Sequence, residues 1–92
     1  MDRGVIDNPA QNRFELAVGE ALAVAYYRLE GDRIVLLHTE VPGELSGQGI
    51  GSRLAQGAFQ SIRESGRKAV AKCPFMAGWV SRHPEYADLV VG

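Results

Sequence analysis

Three features of this chain are of types and spacings that could do chemistry. The stretch "VPGELSGQGIGSRL", Val41 to Leu54, sets Gly47, Gly49 and Gly51 at alternate positions. A lone cysteine, Cys73, is followed directly by Pro74. His38 and Glu40 stand two residues apart just ahead of the glycines. Glycines so spaced let backbone N–H groups converge on an anion, and a helix starting there adds the positive end of its dipole. A cysteine can act as a nucleophile, and a histidine or glutamate can act as a general base.

The phosphate ligand such a loop would take is narrowed by elimination. No Lys-Ser or Lys-Thr follows the glycines, which excludes a nucleoside-triphosphate loop. The dinucleotide fingerprint fails as well: its third glycine would fall on Ser52 counting from Gly47, or on Leu54 counting from Gly49. A plain chain reversal is the competing reading, yet one or two glycines would suffice for that.

The thiol also has two readings. Proline is favoured at the first position of a helix, which makes Cys73 the flanking cap, and a helix N-terminus favours a thiolate. Free cysteine is equally among the most buried residue types and often a small hydrophobe.

The elements that must position these residues follow from periodicity. "RFELAV" alternates as a half-buried strand, and Gly19-Glu20 suits a type II′ hairpin turn into a longer strand, "ALAVAYYRL". "EGD" turns the chain again into "RIVLLHTEV", rich in β-branched residues. Strict alternation along this third strand sets His38 and Glu40 on the face of Ile34 and Leu36, with Thr39 on the other. After the glycines the period becomes helical: Ile50, Leu54, Ala55, Ala58, Phe59 and Ile62 share a face. Gly57 within that helix costs about 1 kcal/mol relative to alanine and implies close packing, and Gly66 ends the helix. "KAVAKC" is a fourth strand, paired in parallel through a right-handed crossover. "FMAGWVSRH" is a short helix broken before Pro84, and "PEYADLV" closes the chain. The first twelve residues, polar and with an Asn-Pro, read as a loose lead-in. The fold class is α+β: a three-strand antiparallel meander, a β-α-β unit and a short C-terminal helix in one domain spanning 1–92.

The bulk composition limits the function classes. The chain has 92 residues, with 10 Lys+Arg against 11 Asp+Glu, so neither a nucleic-acid footprint nor a membrane-binding basic run is expected. No apolar run approaches a membrane span, and the start is unlike a signal peptide. A single cysteine excludes an internal disulfide framework and favours a reducing, cytoplasmic setting.

"HTEVPGELSGQGIGSRL" resembles the pyrophosphate loop of the GNAT acetyltransferase superfamily, Gln/Arg-x-x-Gly-x-Gly/Ala. Gly49 and Gly51 take the two glycine positions, whereas Ser46 stands where that pattern has Gln or Arg. Preceded by "EVP" and followed by "CPF", the loop is similar to that of the very small, single-domain branch, and the resemblance covers Phe14 to Leu89. It implies coenzyme A or acetyl-CoA as co-substrate and no metal. The pyrophosphate would lie on the amides around Ser46, Gly47, Gln48, Gly49, Ile50, Gly51 and Ser52. The pantetheine arm would run along the strand from His38 to Val41, with Thr39 able to hydrogen-bond it. The resemblance also implies Cys73 as a nucleophile forming an acetyl-cysteine intermediate. His38 and Glu40, by their place just before the loop, are candidate bases for an incoming amine, and the polar end of a core strand is the other reading of His38. Tyr86 falls roughly where larger relatives keep a tyrosine that protonates the departing thiolate, and a docking aromatic is its other reading. Arg53 and Arg82 could reach coenzyme phosphates, while Phe75 and Trp79, one helical turn apart, read as core.

An acetyl-CoA-dependent N-acetyltransferase is thus expected, acting as a monomer or weak dimer on a small amine or a lysine. A CoA-binding module without turnover, and a protein regulated through its thiol, are the alternatives.

Overall fold

The computed structural model describes residues 4–45 and 47–92. Five strands form one sheet in sequential order: β1 (Val5–Asn8), β2 (Arg13–Val18), β3 (Ala21–Glu30), β4 (Arg33–Glu40) and β5 (Lys68–Ala71). The first four pair antiparallel and β5 joins β4 in parallel. Helix α1 (Ile50–Ser65) makes the crossover between β4 and β5, and α2 (Pro74–Ser81) follows β5. A 3-10 segment, Pro84–Leu89, then leads to a single bridge between Val90 and Ala69.

The turns are built as their residues dictate. Val18 pairs with Ala21, so Gly19-Glu20 is a two-residue turn, and Gly19 at φ +61 takes the left-handed position that a primed hairpin requires. Gly66, at φ +78, caps α1 by donating its N–H to the Arg63 carbonyl. Pro42 has no N–H for a ladder, and β4 ends two residues before it.

α1 lies across β1, β2 and β3, burying Ile50, Leu54, Ala55, Ala58, Phe59 and Ile62. They meet Phe14, Leu16, Ala23, Ala25, Tyr27, Ile34 and Leu36 from the sheet in one core. Each large apolar side chain so buried contributes about 1.5–3 kcal/mol.

The N-terminal segment corrects the expectation of a loose lead-in. Val5–Asn8 is a strand in register with β2, Val5 opposite Leu16 and Asn8 opposite Arg13. Asp7 is on the core side, opposite Phe14, where it accepts a hydrogen bond from the Tyr27 hydroxyl. Burial, and then that bond, push the Tyr27 hydroxyl up, so it stays protonated as the donor. The polar residue at a core-facing position hides the strand's alternation from sequence reading.

β1 also accounts for Gly57. A Cβ there would overlap the Val5 side chain, so the helix approaches the sheet at a distance only glycine permits. Gly57→Ala gains helix propensity yet should lower unfolding stability by about 1–3 kcal/mol in urea titration, through overpacking. An equal or higher midpoint would mean that β1 is not docked beneath α1.

Candidate active site

The site begins where β4 and β5 part. Their pairing runs from Arg33↔Lys68 to Leu36↔Ala71 and stops. The Leu36 carbonyl closes it by accepting the amides of both Lys72 and Cys73. From there β4 continues beside β3 alone among the described residues, leaving its outer edge over residues 37–40 without a strand partner.

At the same point β4 carries a bulge. Tyr27 opposes Leu36 while Tyr26 opposes His38, so Leu37 is an extra residue. The bulge reverses the side-chain alternation beyond it and overturns the expected faces. Thr39, opposite the buried Ala25, joins the core side with Leu36. His38 and Glu40, opposite Tyr26 and Val24, face the other side of the sheet, which no helix covers among the described residues. There His38 Nε2 lies 3.2 Å from the Glu40 carboxylate, both side chains exposed, and its ring stacks with Tyr26 at 6.5 Å.

Cys73 occupies the helix-flanking position the sequence predicts: it is the N-cap of α2, with Pro74 first in the helix. Its side chain is 3% exposed. The sulfur sits 3.2 Å from Thr39 Oγ1 across the gap between the diverging strands. The bulge therefore brings Thr39 and Cys73 together and sends His38 and Glu40 to the opposite face.

The glycines open onto a cleft of about 440 Å³ between the start of α1 and the length of α2. Val41, Leu45, Gly47, Gly49, Ile50, Gly51 and Ser52 form one wall, and Phe75, Trp79, Arg82 and His83 the other. Of the residues singled out in the loop, Gln48 does not line the cleft: its amide bonds the Leu45 carbonyl and its side chain the Glu44 carbonyl. Ser46 lies outside the described residues.

The three glycines have different causes. Gly47 and Gly49 hold φ +81 and +72, and a Cβ on either would point into open space. Gly51 has ordinary backbone but faces the Phe75 ring, whose Cζ would lie 2.9 Å from an added Cβ. The missing side chain of the third glycine thus makes room for an aromatic ring, while its amide stays at the helix start.

Gly49 is the N-cap of α1, with no side-chain cap and no acidic residue in the first turn. The first amide in the helical ladder is that of Arg53, bonded to the Gly49 carbonyl. The preceding amides point out of the helix end, which can hold an anion.

Of the facing wall, sequence reading pointed to Arg82 alone. Phe75, expected in the core, is instead exposed on the cleft because α2 turns it toward Gly51, and His83 was not singled out. Trp79 is buried against Phe59, as a core residue should be, yet its indole N–H donates to Ser52 Oγ at 2.9 Å and ties α2 to the first turn of α1. His83 stacks on Trp79 at 3.7 Å, with Nδ1 2.7 Å from the Trp79 carbonyl. Only the mutual packing of two helices makes these residues a wall, and no local pattern carries that. Tyr86 takes its docking role: it is buried against Phe59 and Trp79, and its hydroxyl donates to Gln60.

Residues 13–89 match the family model described as GCN5-related N-acetyl-transferase. The chain is 40% identical over 63 residues to protein NATD1 of Gallus gallus and of Mus musculus, an alignment covering 67% of this chain and 57% of each relative. It therefore spans little more than half the length of these relatives. Its structure is similar to the NMR solution structure of a GCN5-like protein from Staphylococcus aureus, described as a candidate N-acetyltransferase. The TM-score is 0.73 at 31% identity, covering 96% of this chain and 87% of that one.

Ser52→Ala would strand the buried Trp79 N–H. It should lower unfolding stability by about 1–3 kcal/mol and shift the fluorescence of the lone tryptophan. Unchanged stability and emission would mean that the two helices are not tied at this point.

Proposed function

Because this chain belongs to the GCN5-related N-acetyltransferase family, we propose that it transfers the acetyl group of acetyl-CoA to an amine. The observation carrying this reading is the fork between β4 and β5, which opens beside an uncapped helix N-terminus lined with glycines. In this reading the coenzyme's pyrophosphate takes the amides of Gly49, Ile50, Gly51 and Ser52. Its pantetheine amides pair with the unpartnered edge of β4 from His38 to Glu40 and continue along Val41, as a peptide adds to a sheet edge. The acetyl thioester then lies in the fork.

Cys73 stands at that fork with Thr39 as hydrogen-bond partner, and its burial means that an acetyl group reaches it through the gap between the strands. The Cys73 thiol gives up its proton as its sulfur attacks the thioester carbonyl, forming a new C–S bond while the C–S bond to coenzyme A breaks. The departing coenzyme thiolate takes up that proton. The exchange is nearly isoenergetic, because one thioester replaces another. An amine then attacks the acetyl-cysteine; the C–N bond forms, the thiol is regenerated, and the amine gives up a proton. The His38–Glu40 pair, on the uncovered face beside the bulge, is the base for an amine arriving from that side. The acceptor is a small aliphatic amine or a lysine side chain, and a reducing compartment keeps the lone thiol available.

Intact-mass analysis after incubation with acetyl-CoA should show one added acetyl group, absent in Cys73→Ser. Full turnover by Cys73→Ser would instead mean that the amine attacks the thioester directly.

The loop is tested separately by two nearly isosteric changes that both tolerate the left-handed backbone of Gly49. Gly49→Asp sets a negative charge at the anion site and should abolish CoA binding in calorimetry, whereas Gly49→Asn should weaken it much less. Equal affinities would refute the loop assignment.

A further inference from the structure

The cleft has a second wall that the pyrophosphate reading leaves unused. Coenzyme A carries a pyrophosphate and, separately, a 3′-phosphate on its ribose. The amide end of α1 serves one anion, and the cleft bears no carboxylate among its lining residues. Its charged and titratable side chains are Arg82 and His83, adjacent at the end of α2.

Both are held in a manner that suits a ligand. Arg13, Arg28 and Arg63 are paired with Glu15, Glu30 and Asp88. The Arg82 guanidinium has no hydrogen-bond or ion-pair partner among the described residues. It lies back along α2, where a Cβ added to Gly78 would stand 3.7 Å from its terminal nitrogen. The His83 ring is fixed twice, by stacking on Trp79 and by Nδ1 at the Trp79 carbonyl. Since a carbonyl only accepts, Nδ1 donates to it, and Nε2 is the nitrogen left to meet a ligand, which as the second N–H of the imidazolium form donates to a phosphate oxygen. Trp79 is itself anchored to Ser52, so the imidazole is set rigidly relative to the α1 amides.

We propose that Arg82 and His83 form the binding site for the 3′-phosphate of coenzyme A and make the protein discriminate against 3′-dephospho-CoA. This rests on the coenzyme reading above. A phosphomonoester carries more charge than either phosphate of the diester pair, and a planar guanidinium matches its oxygens in a bidentate manner. Arg82 and His83 face the helix end across the cleft, so the coenzyme's two phosphate sites are held from opposite walls.

Calorimetry with CoA and 3′-dephospho-CoA tests this on the wild-type chain, Arg82→Gln, His83→Asn and, as a control away from the cleft, Arg28→Gln. Wild type and Arg28→Gln should bind CoA about tenfold or more tightly than 3′-dephospho-CoA. Arg82→Gln should lose most of that preference while keeping its affinity for 3′-dephospho-CoA, and His83→Asn should lose part of it. Arg82→Gln removes no side-chain hydrogen bond or ion pair among the described residues and should melt as the wild type does, so it decides the matter even if His83→Asn misfolds. Equal wild-type affinity for the two ligands would overturn the proposal and leave the coenzyme reading standing. So would an Arg82→Gln variant that weakens both ligands alike or neither. Binding of neither ligand by the wild type would overturn the coenzyme reading itself.

Discussion

The arrangement depends on one carbonyl. Leu36 C=O accepts the amides of Lys72 and Cys73, and it is the last link between β4 and β5. A sheet that continued its ladder would have no gap, no free edge along β4, and Cys73 would be one more strand residue. Two features keep the ladder from continuing. On the β5 side, Pro74 can donate no amide and starts a helix instead. On the β4 side, the extra residue at Leu37 shifts the register and twists the strand away. Each would disturb one strand; together they open the sheet at a single place.

The two helices complete what the fork begins. α1 starts beside the end of β4 without a side-chain cap, and α2 starts at the fork and runs past the first turn of α1. Trp79 couples them, bonding Ser52 on one side, stacking with Phe59 in the core, and carrying His83 on its outer face. A small chain buries a limited core, so economy is expected of its packing. Here one indole serves the core, the helix junction and the cleft wall at once. The same economy explains Gly51, which gives up its side chain so that the Phe75 ring can close the cleft.

Much of this was legible in the sequence, and the exceptions share a cause. Alternation in "RFELAV" and "ALAVAYYRL", the helical stripe from Ile50 to Ile62, the cap at Gly66 and the helix start at Cys73-Pro74 are local patterns, and each was found where expected. Gly57 was readable as a packing glycine, though not that Val5 would be its neighbour. β1 was missed because Asp7 occupies a core-facing position, satisfied only by a tyrosine twenty residues away. The bulge was hidden inside the apolar run Val35-Leu36-Leu37, which reads the same with or without an inserted residue. That hidden residue decided the faces of His38, Thr39 and Glu40. The Phe75, Trp79, Arg82 and His83 wall depends on how two helices meet, and short-range spacing does not encode it.

If the fork and the uncapped start of α1 together hold acetyl-CoA, a structure of the chain with acetyl-CoA bound will show it. The pyrophosphate should lie on the amides from Gly49 to Ser52 and the pantetheine along the free edge of β4. The acetyl carbon should sit in the fork, about 3–4 Å from the Cys73 sulfur, and this placement is what the reading requires. A coenzyme bound on the uncovered face of the sheet, by Arg13 and Tyr26, would contradict it.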